Sequence, residues 1–199
     1  EPIDDGATSG IIYDTGQSSG ETGFSDSNSK PSESSEKPTK GLIFYTDNQL
    51  KIKIAHSVRR QLGKISKMKN IPIVSASLKP LDFGANIYLP LKRGYLTLFK
   101  QILAALEASR TEVVFFCEHD VLYHPSHFDF IPPTKDKFYY NENVWRLNSE
   151  TGHAIHHLLR QTSGICVYRE LAIKHYRERI GRVEKEGFSW AMGFEPGTH

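Results

Sequence analysis

The sequence predicts an α/β protein in which a mostly parallel sheet carries helices on both faces and a mixed extension on one side. Three observations predict it. Short runs of β-branched and aromatic residues recur at 41–45, 71–76 and 112–117. Between them lie stretches with helical spacing. Strand, helix, strand, helix, strand in that order requires crossover connections and therefore parallel strands.

Gly41-Leu42-Ile43-Phe44-Tyr45 reads as a buried first strand, closed by the turn formers Thr46-Asp47-Asn48. Over residues 49–62, Leu50, Ile54, Val58 and Leu62 repeat every four positions, the mark of an amphipathic helix. Residues 71–76 form the second strand, and 79–92 a loop rich in Pro, Gly and Asn. A second helix over 94–108 gathers Tyr95, Leu98, Phe99, Ile102, Leu103 and Leu106 on one side. Residues 112–117 are the strongest strand of the chain. Beyond them, 138–140, 144–147 and 164–168 are strand-like segments of the mixed extension, followed by a charged helix over 169–186.

The first forty residues differ in kind. Phe24 is the only large apolar side chain between Thr15 and Lys40, so this acidic, Ser-rich segment cannot offset its ordering entropy and is expected to be a disordered arm or linker. Ile11-Ile12-Tyr13 is a small apolar knot upstream, either the end of a preceding domain or of no consequence. The chain lacks an initial Met and stops at His199, which reads as a piece of a longer protein, truncated at its C-terminus. Charge divides at the same boundary. Residues 1–40 hold 8 acidic and 3 basic side chains, and 41–199 hold 15 and 22. A folded part with an excess of seven positive charges suits an anionic ligand such as a nucleotide diphosphate, or is simply a solvated surface; it is too scattered to argue for nucleic acid. No apolar run is long enough to span a membrane. Cys117 and Cys166 lie in apolar strands and read as reduced core thiols, with a single buried disulfide as the alternative. Reduced thiols point to the cytoplasm, with peripheral membrane association left open.

In open parallel sheets ligands gather beyond the carboxyl ends of the strands, here at residues 45–48 and 118–120. At the second place Glu118-His119-Asp120 follows a buried strand. In extended backbone Glu118 and Asp120 share a face, with His119 turned away. Two convergent carboxylates suit a hard divalent cation, Mn2+ or Mg2+, which in turn neutralises a diphosphate.

The run 113–123 resembles the Asp-x-Asp region of GT-A-fold nucleotide-sugar-dependent glycosyltransferases, those of the family 2 type. The resemblance extends loosely over residues 41–199 and implies a Rossmann-like GT-A fold. It further implies that Asp120 binds the metal and Glu118, with His119 beside it, contacts the donor; Glu in place of the first Asp departs from the pattern. Tyr45, Thr46 and Asp47 match the family's base-binding strand end, although Asp47 can equally be a helix N-cap. Arg93, just ahead of the second helix, is placed to reach the diphosphate or the base, or is equally a surface residue. Gly164, within the run 161–170, resembles the small-residue strand beneath donor and acceptor. The loop 187–195 is similar to the aromatic, Gly-rich loop preceding an acidic base in inverting members, which makes Glu195 the candidate base. His199 matches the histidine that completes the metal site. The implied reaction moves a sugar from a nucleotide diphosphate sugar to a hydroxyl acceptor, on a glycan, a lipid carrier or another molecule. The alternatives are a non-catalytic sugar- or nucleotide-binding module and a metal-dependent phosphoesterase or nucleotidyltransferase.

Trp145 and Trp190 sit among polar residues and are either acceptor platforms or core packing. His153, His156 and His157 would share one face of a helix, at a spacing that can bind zinc. His124 and His127 read as polar loop residues. The basic residues of 174–185 suit an anionic acceptor or a solvated face.

Overall fold

The computed structural model describes the backbone of residues 9–13 and residues 37–196. The elements in chain order are β1 (Ser9–Tyr13), β2 (Lys40–Thr46), α1 (Ile52–Lys69), β3 (Ile73–Ser77), β4 (Ala85–Tyr88), α2 (Tyr95–Ala108), β5 (Val113–Glu118), β6 (Val121–Tyr123), β7 (Tyr139–Tyr140), β8 (Asn143–Asn148), β9 (Ala154–Leu158), β10 (Ile165–Tyr168) and α3 (Arg169–Glu186). Six strands form the main sheet in the order β4-β3-β2-β5-β10-β7. Strands β4, β3, β2 and β5 are parallel, while β10 runs antiparallel to β5 and to β7.

Alternation along β2 and β5 divides the core in two. Ile43, Tyr45, Val114 and Phe116 face α2 and α3, meeting Phe99, Ile102, Ala172 and Tyr176. Leu42, Phe44, Phe115 and Cys117 face the other way, onto Val58, Leu62 and Ile65 of α1 and onto Val121, Tyr123 and Val144. Helices thus cover both faces, as expected for a fully buried parallel sheet. Both thiols are free and buried.

Several expectations are corrected. Helix α1 starts at Ile52 and runs to Lys69, because Asn48, at φ 61, accepts the N–H groups of Leu78 and Lys79 and thereby holds the β2 turn open. Asp47 does not cap that helix; its carboxylate accepts the Gln49 N–H in a local turn. The stretch 79–92 contains β4, started by Gly84 at φ 62, where a Cβ would collide with Ile73. Residues 154–158 form β9 and not a helix, so His156 and His157 point to opposite faces and the zinc-binding helical face does not exist.

A second sheet, in the order β6-β1-β8-β9, lies beyond the main one. Strand β1 pairs parallel with β6 and antiparallel with β8. Of the expected disordered arm, residues 1–8 and 14–36 lie outside the described residues, but Ser9–Tyr13 departs from that expectation by pairing on both sides. The reason is tertiary: a β-favouring Ile-Ile-Tyr run meets two strands with unpaired edges.

His127 is not a loop filler. It is 4% exposed, ringed by Phe115, Tyr123 and Phe128, and its Nδ1 faces the Asn141 amide at 3.0 Å. Burial drives its pKa down from 6.5 to about 3. Below pH 6.5 the unfolded chain therefore takes up a proton that the folded protein refuses, so this residue lowers stability as pH falls, by about 1.4 kcal/mol per pH unit. Urea titrations at several pH values between pH 6.5 and about 3 are expected to show a slope shallower by about that amount in His127→Phe. Equal slopes would show that the folded protein also protonates this imidazole.

Candidate functional site

A cavity of about 510 Å³ opens at the carboxyl edge of the main sheet. Strand β2 leads outward to β3 and β4 on one side, and the chain returns through α2 to β5 on the other, so the strand order reverses between β2 and β5. Ligands of open α/β sheets collect at that reversal. The cavity is lined there by Tyr45, Thr46 and Asp47 from the end of β2, and by Glu118, His119 and Asp120 from the end of β5. Arg93, Gly94, Tyr95, Thr97, Leu98 and Gln101 close it from the start of α2, with Phe194 from the C-terminal loop. The six residues expected to bind a donor and the expected metal ligand Asp120, separated by up to 75 positions in the sequence, line one space.

Convergence of the two carboxylates has a different origin from the one expected. Strand β5 ends at Glu118, and His119 and Asp120 form a turn into β6. The turn ends the alternation, so His119 lines the cavity between them and does not point away. Its Nδ1 lies 2.7 Å from Thr46 Oγ1 and 3.7 Å from Asp47 Oδ1. The other oxygen of Asp47 meets Arg93 Nε at 2.7 Å. Arg93 itself is largely exposed, so this pair is a weak one in energy. Its use is to hold a cation at the cavity rim.

Glu118 is fixed from two sides. The Tyr45 hydroxyl donates to Oε1 at 2.8 Å, and the Glu118 N–H donates to the Tyr123 hydroxyl at 3.1 Å. Burial, followed by the charge of Asp120, pushes the Glu118 carboxyl up to about 7, although the Tyr45 hydrogen bond opposes this and Glu195 adds to it. Glu118 thus feels the charge of two further carboxylates, Asp120 and Glu195. Tyr45 is 3% exposed, so its ring is spent on the core and its hydroxyl on Glu118.

The C-terminal loop is positioned by Arg179 of α3. Its guanidinium donates to the carbonyls of Gly193 and Phe194 at 3.0 and 2.9 Å, reaches that of Met192, and lies 5.2 Å over the Phe99 ring. Phe194 stacks on Phe188 at 5.1 Å, and Tyr95 and Trp190 complete the cluster. Trp190 is 72% exposed at its outer side. Glu195 follows Phe194 and raises the pKa of Glu118 and Tyr140 by its charge, but it does not itself line the cavity.

Other expected site residues lie elsewhere. Trp145 belongs to β8, where its ring packs 4.9 Å from His156. Gly164 lines a separate cavity of about 150 Å³ with His127, Tyr140 and Cys166. His199 lies outside the described residues. The basic helix has its own partners, with Arg177 on Glu107 and Arg182 on Glu186.

Sequence reading missed Gln101, Tyr95, Thr97, Leu78 and Phe194 as lining residues. Gln101 left a signal: it is the polar interruption in the apolar stripe of α2. It is 3% exposed, and its Nε2 donates to the Thr46 carbonyl at 2.7 Å and lies 3.3 Å from that of Ala76, tying the ends of β2 and β3 together under the cavity. Gln101→Leu removes a buried donor from both carbonyls and is expected to cost about 1–3 kcal/mol. Denaturant unfolding checks this; a loss below half a kcal/mol, roughly the range of a neutral surface change, would mean the bridge is dispensable.

Among the described residues no group of three or more His, Cys, Asp or Glu side chains is arranged around one cation position. In comparisons with known proteins, no protein-family model and no curated protein matches the chain.

Proposed function

We propose that this chain is a divalent-metal-dependent glycosyltransferase of the GT-A type, moving a sugar from a nucleotide diphosphate sugar to a hydroxyl acceptor, with inversion. The observation that carries the reading is the cavity at the strand-order reversal, with a cation held by Asp47 on one wall and the Glu118–Asp120 pair on the other. Its volume falls in the range usual for small-molecule and cofactor sites, roughly 300–1,000 Å³. The start of α2 forms a third wall, and no side chain caps it, so its first-turn N–H groups suit phosphate oxygens.

The residues fit Mn2+ or Mg2+. The charge of Asp120 raises the Glu118 carboxyl, so this pair is short of positive charge, and such cations commonly take one or two carboxylates plus substrate phosphates and water. Asp120 would hold the ion, with Glu118 behind it. When bound, the ion would supply positive charge to the departing diphosphate. Arg93 would bind a phosphate oxygen or the base at the rim. Thr46 and Asp47 would orient His119 toward the donor. The cluster of Tyr95, Phe188, Trp190 and Phe194 would exclude water and give the sugar an apolar face. Glu195 would accept the acceptor's hydroxyl proton as the oxygen attacks the anomeric carbon.

Incubation with a panel of nucleotide sugars, with and without Mn2+, tests this. Metal-dependent release of the nucleoside diphosphate supports it. Tight donor binding with no turnover on any acceptor would replace it with a binding module, and release of inorganic phosphate with a phosphoesterase.

A further inference from the structure

Helix α1 packs its apolar face on the sheet through Val58, Leu62 and Ile65. Its remaining surface is unusual in charge. Over 18 residues it carries Lys53, Arg59, Arg60, Lys64, Lys67 and Lys69 and no acidic residue. Lys69 pairs with Asp129, whereas the other five form no ion pair among the described residues. Lys53, Arg60, Lys64 and Lys67 are exposed and follow one another at intervals of seven, four and three, so they line a single outer stripe. At 1.5 Å per residue the stripe is about 21 Å long. His56 lies within it. Two large apolar side chains flank it, Ile52 at 69% and Met68 at 65% exposure. Elsewhere on the molecule some exposed basic residues pair with a carboxylate, as Arg160 with Glu142 and Arg177 with Glu107.

We propose that the outer face of α1 is a docking surface for an anionic lipid membrane. The cationic stripe matches a layer of phosphate headgroups, and each such residue near the surface contributes about 1 kcal/mol. Ile52 and Met68 decide between membrane and nucleic acid. A lipid interface buries exposed side chains of this kind, while a phosphate backbone offers them nothing, and α1 carries no Phe, Tyr or Trp to stack on a base. Strand β2 delivers its carboxyl end at Thr46, and α1 begins six residues later, so the N-terminal end of the stripe lies at the cavity end of the sheet. The surface is independent of the catalytic reading, which can fail without affecting it.

The test is flotation of the full chain with phosphatidylcholine vesicles, with and without phosphatidylglycerol, at near-physiological salt. Binding is expected only to the anionic vesicles. Lys53→Gln, Arg60→Gln, Lys64→Gln and Lys67→Gln combined are expected to weaken it by roughly 10²–10³-fold. Ile52→Ser with Met68→Gln is expected to weaken it several-fold while leaving binding to a DNA duplex unchanged. Circular dichroism and melting curves confirm that each variant is folded. The proposal is overturned if wild-type protein ignores anionic vesicles. It is also overturned if the quadruple variant floats as well as wild type, or if duplex DNA binds more tightly than the vesicles and the apolar variant floats undiminished.

Discussion

Asp120→Asn is expected to abolish most of the Mn2+-dependent donor affinity while Glu118→Gln removes only part of it. The asymmetry comes from how each carboxylate is engaged. Glu118 Oε1 is occupied by the Tyr45 hydroxyl and its backbone by Tyr123, which on the proposed reading makes it an orienting partner of the ion. Asp120 makes no hydrogen bond or ion pair with another described residue, and it lines the cavity. Removing an outer partner of a metal site typically costs 10–100-fold in affinity, which sets the expectation for Glu118→Gln. Asp120→Asn is expected to lose at least another factor of about ten, because it removes the ion's own ligand. Calorimetric titration of a nucleoside diphosphate with and without Mn2+ measures both. Equal losses would make the two carboxylates joint ligands, and no loss in either would remove the cation from this site.

Glu195→Gln is expected to leave donor binding nearly intact and to lower the transfer rate by roughly 10²–10⁴-fold, the usual worth of a positioned base. The structure adds a reason to expect this variant to stay folded. The loop is held by Arg179 through backbone carbonyls, by the stacked Phe188 and Phe194, and by the Tyr140 hydroxyl donating to the Pro196 carbonyl. The pH–rate profile is expected to lose its acidic limb, since that limb reports deprotonation of the base. A variant that melts early yet turns over normally per folded molecule would make Glu195 a structural residue. Collapse of donor affinity together with Mn2+ dependence would move it into the metal shell.

The two expectations differ in how much of their ground was visible in the amino-acid order. That the strand ending at Glu118 empties into acidic residues follows from Val113-Val114-Phe115-Phe116-Cys117, where no polar side chain interrupts a run buried on both faces. The parallel order of β2, β3 and β5 follows from the helical spacing between them. That Thr46, Asp47 and Asp120 line one cavity was likewise legible, since the rule that places ligands at strand ends needs only the strand order, whereas Arg93 was read from its place just ahead of α2. Gln101 was half-visible, as one polar side chain on an apolar stripe. The rest was hidden because it depends on partners distant in sequence. The turn at His119–Asp120 is short, and whether a chain continues or folds back after a strand is decided by what waits there, here Gln61 accepting the Tyr123 N–H and the second sheet receiving β6.

Local periodicity by itself determined the α/β class, the three helices and the acidic strand end, because those rest on contacts each segment makes with one broad apolar core. Tertiary structure alone decided that Ser9–Tyr13 is a strand, that residues 154–158 pair with β8 rather than form a helix, and that His127 is buried, with its pKa driven down. A short segment of mixed pattern has no strong preference of its own, so the edges and cavities it meets settle its conformation.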